Sequence, residues 1–189
     1  MTALTLTAPI TEADYKGMNL LAMPTDMTGD RATALLNQSW DTVTKLCNQP
    51  LTATASVDIY NMPSRYCNVH PAGFLMIAPR YLPIVSVTTV KFSENIGAIG
   101  WTACNQFDTL EKEVHVYDSP YVRGSYGMIQ LSYTSGYSTV PDSLKFICGE
   151  MVAHLLSGGY VPTMAGSAVL SEWLSKDFWL TVNLYKRVR

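Results

Sequence analysis

A chain of 189 residues that is 48% hydrophobic can bury a substantial core, yet only 15% of it is charged, against roughly 25% in ordinary soluble domains; much of its surface is therefore suited to burial against neighbours. A formal net charge of −2 and a pI near 5.9 exclude a protein that grips nucleic acid through a broad basic face. The first basic residue is Lys16, no apolar run follows a charged start, and stretches such as Phe74–Ala78 fall far short of the about 20 residues a membrane span needs, so the expectation is synthesis and assembly in a cytoplasm. Cys47, Cys67, Cys104 and Cys148 are widely spaced, show no CxxC pairing, and read as reduced, mostly buried thiols.

Residues 1–28 are rich in Thr, Ala and Met and read as an amino-terminal arm, with Thr11–Tyr15 able to start one helical turn. From Asp30 to about Cys47, Ala32, Leu35, Leu36, Trp40, Val43 and Cys47 fall on one helical face, and Asn48 and Pro50 end the element. Residues 51–136 read as a β-rich insertion. Its strand candidates are Val57–Tyr60, Gly73–Ala78, Ile84–Phe92, Val114–Tyr117 and Tyr126–Tyr133, with a loop at Ser93–Gly100. In the last strand Ile129, Leu131 and Tyr133 alternate with Met128, Gln130 and Ser132, the pattern of a half-buried strand.

Gly136 then permits a turn, Pro141 suits a helix start, and Asp142 puts negative charge at the positive end of the helix dipole. A helix is expected from Pro141 to about Leu156, its face formed by Leu144, Ile147, Cys148, Met151, Val152 and Leu155, and Gly158 and Gly159 close it. A last helix is expected from about Ser167 to Tyr185, with Leu170, Trp173, Leu174, Phe178 and Leu184 as its apolar side. Trp173 and Trp179 lie on different faces of it, which makes one of them a candidate exposed anchor. Residues 29–189 thus read as one α+β domain: an N-terminal helix and two C-terminal helices around an inserted antiparallel β-region.

Catalytic chemistry finds little purchase. His70, His115 and His154 stand in no metal-ligand spacing, and Glu150 with His154 reads as a solvated pair one turn apart on a helix. Asp108, Glu111 and Glu113 around Lys112 read as the solvating charges of a loop or hairpin. No nucleophile elbow, phosphate-binding loop or dinucleotide fingerprint is present. The enzyme alternative is a small metal-dependent hydrolase with His115 or His154 as its base, and it requires a deep pocket around that residue.

Two stretches carry a resemblance. A turn and strand of Leu82, Pro83, Ile84, Val85, Ser86 and Val87 is followed, after an irregular polar stretch, by a strand end of Leu131, Ser132, Tyr133, Thr134, Ser135, Gly136 and Tyr137. A Val140-Pro141-Asp142 helix start and a basic Tyr185, Lys186, Arg187 terminus complete the order. Over roughly residues 28–189 this resembles the head-to-tail connector (adaptor, or head completion) proteins of tailed bacteriophages. The β-region is longer than the compact members of that family need.

The resemblance implies a structural virion protein rather than an enzyme. It implies a ring of about twelve subunits beneath the portal, closed by heterologous contacts, that extends the DNA channel to the next neck or tail component. Leu82, Pro83, Tyr133, Gly136, Tyr137, Pro141 and Asp142 then serve the structure. Trp173, Trp179, Tyr185, Lys186, Arg187 and Arg189 are the expected portal-binding residues. The implied partners are the portal protein, a stopper or tail-completion protein, further copies of the chain, and genome DNA passing without sequence-specific contact. No cofactor, metal or membrane is called for, and the expected location is the neck of the virion. Another neck or tail-completion protein is the nearest alternative.

Overall fold

A computed structural model describes residues 7–25, 27, 29–94, 100–117, 119, 127–158 and 174–186. The fold is α+β. Two compact units divide the chain: one formed by residues 1–49 and 139–189, the other by residues 50–138.

The first unit is helical: α1 (Glu12–Gly17), α2 (Asp30–Cys47), α3 (Asp142–Leu156) and α4 (Lys176–Tyr185). Thr11 caps α1 in a capping box. Its Oγ1 accepts the Asp14 N–H at 3.2 Å while the Asp14 carboxylate accepts the Thr11 N–H at 2.8 Å. Where it is described, the amino-terminal stretch buries Ile10, Tyr15 and Met23. It packs against α3 at Gly149, where a Cβ would lie 2.6 Å from Met18 Sδ and 3.0 Å from Leu20 Cδ1.

In α2 the expected face goes inward, with Ala32, Leu36, Trp40, Val43 and Cys47 buried and Leu35 at the margin. Asn48 closes the helix in a left-handed conformation, φ 55°, donating its N–H to the Lys45 carbonyl at 3.1 Å. Pro141 precedes α3 as its N-cap, and Leu144, Ile147, Cys148, Met151 and Val152 are buried along the helix.

The last helix departs from expectation. Leu174 and Ser175 are not helical; Ser175 Oγ accepts the Phe178 N–H at 2.9 Å and starts α4, so the helix that ends at Tyr185 does not run unbroken through residues 174 and 175. Residues 167–173 lie outside the described residues. This start sets the phase of α4: Phe178 and Val182, one turn apart, are buried, whereas Leu184, about 240° round from Phe178, is 77% exposed. Leu184 therefore leaves the apolar side assigned to it.

The second unit is all β, with β1 (Thr54–Asn61), β2 (Cys67–Val69), β3 (Leu75–Ile77), β4 (Ile84–Ser93), β5 (Thr102–Cys104), β6 (Phe107–Thr109), β7 (Val114–Val116) and β8 (Met128–Ser135). They form two antiparallel sheets, in the orders β1-β8-β4-β5 and β2-β3-β7-β6. The inner faces share a core that includes Leu75, Ile77, Val90, Phe92, Val114, Val116, Ile129 and Leu131. The alternation in β8 is as expected, Ile129, Leu131 and Tyr133 pointing inward. Strands β2, β5 and β6, three residues each, are additions to the expected set. The Tyr126 strand start and residues 95–99 of the expected loop lie outside the described residues.

Candidate docking surface

In the β unit, the two resembling stretches lie side by side. Ile84 of β4 pairs with Ser135 of β8, and the Gly136 N–H donates to the Pro83 carbonyl at 3.0 Å. Gly136 has φ +102°, and a Cβ there would sit 2.3 Å from the Thr52 carbonyl oxygen, so only glycine fits. Tyr137 extends the junction: its carbonyl accepts the Ala53 N–H at 3.1 Å and its N–H reaches the Leu51 carbonyl at 3.4 Å.

Beneath this junction lies a polar cluster that pattern reading missed. The Asp58 carboxylate is buried, and its Oδ2 accepts three hydrogen bonds: Tyr60 Oη at 2.8 Å, Tyr133 Oη at 2.8 Å and the Arg80 N–H at 2.7 Å. Tyr133 Oη accepts in turn from the Tyr81 N–H at 3.1 Å. Burial pushes both tyrosine hydroxyls above their ordinary range, and the carboxylate beside them adds to the shift. The cluster inverts β1, leaving Val57 58% and Ile59 53% exposed while Asp58 and Tyr60 face the core. Three donors replace the water the carboxylate loses. The sequence signal was the Asp58-x-Tyr60 spacing, which puts acid and phenol on one face of a strand.

In the helical unit, the described candidate portal-binding residues gather on α4. Tyr185 is anchored: its Oη lies 3.0 Å from Ser143 Oγ, one residue beyond Asp142, and its carbonyl accepts Gln49 Nε2 at 2.6 Å. The side chain of Asp142 is otherwise exposed and paired with Lys145 Nζ at 2.8 Å. Trp179 is half-buried, packs edge-on to Phe178 with ring centroids 5.4 Å apart, and has its Nε1 enclosed. The large apolar side chains α4 presents to solvent are Leu180, 57% exposed, and Leu184, with exposed Lys186 beyond them. Trp173, Arg187 and Arg189 lie outside the described residues.

The histidines fall in three settings. His70 stacks on Phe74, ring centroids 4.4 Å apart, and its Nδ1 accepts the Ala72 N–H at 3.1 Å. His115 lies 4.7 Å from Phe74, and its Nε2 meets Glu113 Oε1 at 2.7 Å. Glu111 and Lys112 sit in the turn of a β6–β7 hairpin closed by Leu110 N–H to Glu113 carbonyl at 2.9 Å, and Asp108 accepts Tyr117 Oη at 2.7 Å. The acidic patch is thus a hairpin. His154 is not the solvated partner of Glu150: it is only 7% exposed, its Nε2 has no hydrogen-bonding partner among the described residues, and it lines a cavity of about 520 Å³. Among the described residues no three His, Cys, Asp or Glu side chains gather as a metal site, and no helix is long and apolar enough to cross a membrane. All four cysteines are free and buried, and burial pushes the Cys47, Cys67 and Cys148 thiols up to about 12.

No family model matches the chain, and no curated protein matches it. Solved structures do. One is a chain of the neck of an empty gene transfer agent particle computed with C6 symmetry: TM-score 0.57, 11% identity, covering 96% of this chain and 91% of that one. Another is a chain of the virion of a native gene transfer agent particle: TM-score 0.56, 13% identity, covering 98% and 94%. The shared property is the fold, along almost the whole of each chain.

Proposed function

We propose that this chain is a structural neck protein of a tailed-phage-like particle, a head-to-tail connector that forms a ring under the portal and continues the DNA channel. The observation that carries this reading is end-to-end similarity of fold to chains of a gene transfer agent's neck and virion. The strand–turn–strand junction at Pro83 and Gly136 supports it, since the stretches that carry the connector resemblance meet there. Low charge and exposed apolar side chains on α4 suit a subunit that completes its surface in an assembly. The mechanism is assembly: heterologous contacts between successive subunits close a ring, and the portal and the next neck component bind its two ends.

The portal-facing element in this reading is the end of α4, with Leu180, Leu184 and Lys186 and the basic residues Arg187 and Arg189 that follow. Tyr185 belongs to the helical unit's own packing, so the clean variants lie on either side of it. Leu184→Asp combined with Lys186→Glu should abolish co-sedimentation with portal-bearing, tailless heads while leaving the circular dichroism spectrum unchanged. Undiminished attachment of that folded variant would remove α4 from the portal contact.

A further inference from the structure

We propose that the cavity beside His154 is a socket for an arginine side chain presented by a partner protein. The cavity, about 520 Å³, is walled on its apolar side by Leu20, Leu21 and Leu174 and on its polar side by Glu150, His154, Ser157 and Ser175. The Glu150 carboxylate and the two serine oxygens offer acceptors. Ser175 Oγ–H donates to Glu150 Oε2 at 3.1 Å, and Ser157 Oγ–H donates to the His154 carbonyl at 2.7 Å, so both hydroxyls have spent their hydrogens. Glu150 is half-buried and, among the described residues, no lysine or arginine pairs with it; burial raises its carboxyl above the usual range, and nearby Asp177 adds to that. His154 Nε2 is enclosed and, among the described residues, has no partner.

A half-buried carboxylate and hydroxyl lone pairs, beside an imidazole nitrogen with no partner among the described residues, complement a group that only donates. A guanidinium is such a group. It carries five N–H donors and no acceptor, is more weakly hydrated than an ammonium, and sits on an alkyl stem that the leucine walls would cover. A transition metal fits less well, because the cavity brings one imidazole and one carboxylate where a structural zinc takes four ligands. The socket stands on this geometry alone and does not depend on the chain's being a neck protein.

The test uses the full chain with labelled histidine, following the imidazole resonances of His154 with His70 and His115 as internal references, and N-acetyl-arginine amide as the probe. A saturable shift confined to His154 is expected, and Glu150→Gln should weaken the apparent affinity at least about tenfold with the fold retained. A wild-type comparison with N-acetyl-lysine amide gives a readout that does not depend on the variant. The proposal is overturned if arginine amide produces no saturable shift, if lysine amide binds equally well, or if Glu150→Gln has no effect. Stoichiometric binding of Zn²⁺ alone at His154 would overturn it in favour of a metal site. Concentration-dependent self-association that Glu150→Gln abolishes would overturn the partner assignment in favour of a second copy of this chain.

Discussion

Replacing Gly136 by alanine tests the junction on which the β unit's architecture rests. Two costs add. An L-residue at φ +102° costs about 1–2 kcal/mol in backbone strain. The new Cβ also lands 2.3 Å from the Thr52 carbonyl oxygen and 2.7 Å from its carbon, and main chain, unlike a flexible side-chain end, cannot swing away. Relief of such overpacking typically costs about 1–3 kcal/mol. Moving the backbone also loosens the bonds of Gly136 N–H to Pro83 and of Tyr137 to Leu51 and Ala53, each contributing roughly 1 kcal/mol. A total near 3–5 kcal/mol is a large share of the roughly 5–15 kcal/mol that holds a domain together. It should lower the thermal midpoint of a unit this size by more than about 10 °C. Gly158→Ala is the internal control. Gly158 also has a positive φ, +84°, but among the described residues nothing lies within 4 Å of where a Cβ would stand, so the strain of about 1 kcal/mol is the expected cost. Urea and thermal unfolding followed by circular dichroism would compare the two; equal, small losses would refute the close-approach argument.

Three further outcomes follow from the buried polar and thiol groups. Asp58→Ala strands the Tyr133 hydroxyl and the Arg80 N–H and should cost about 3–5 kcal/mol in urea unfolding, with Asp58→Asn, which keeps one acceptor oxygen, costing roughly half; equal and small losses would show the cluster is not a stability element. Because Tyr60 and Tyr133 titrate above their ordinary value when folded, the unfolded chain releases protons first as pH rises past about 10, so stability should fall there by up to about 1.4 kcal/mol per pH unit per tyrosine. Tyr133→Phe should flatten that fall, and an unchanged pH profile would contradict the assignment. Buried thiols held near 12 should react with a disulfide reagent at pH 8 roughly a thousandfold more slowly than free cysteine, and all four should react once the chain is unfolded; fast native reaction of Cys47 or Cys148 would contradict their packing.

Period and punctuation located the long elements. The face of α2 from Ala32 to Cys47, the alternation of β8 and the start of α3 after Pro141 were all legible, because each buries a continuous stripe that only one period satisfies. The three-residue strands were not: β2, β5 and β6 are too short to show a period and owe their form to the neighbours they pair with. Asp58 ran against the hydrophobic pattern of its own strand, since Val57 and Ile59 advertise the wrong inner face and the donors that make burial possible come from Arg80 and Tyr133, far along the chain. In α4 the start at Ser175 sets a helical phase that buries Val182 and leaves Leu184 exposed. The partner-binding candidates were legible only as residue types near a basic end; which of them face solvent depended on that phase. His154 looked like one half of a solvated pair because sequence spacing cannot show that Leu20 and Leu174 close over its helix face.

The connector assignment stands or falls on electron microscopy of the purified protein mixed with portal-bearing, tailless heads from its own particle. A closed ring of added density below the portal, coaxial with the DNA channel, is expected. Heads left unaltered by the folded protein would contradict the assignment.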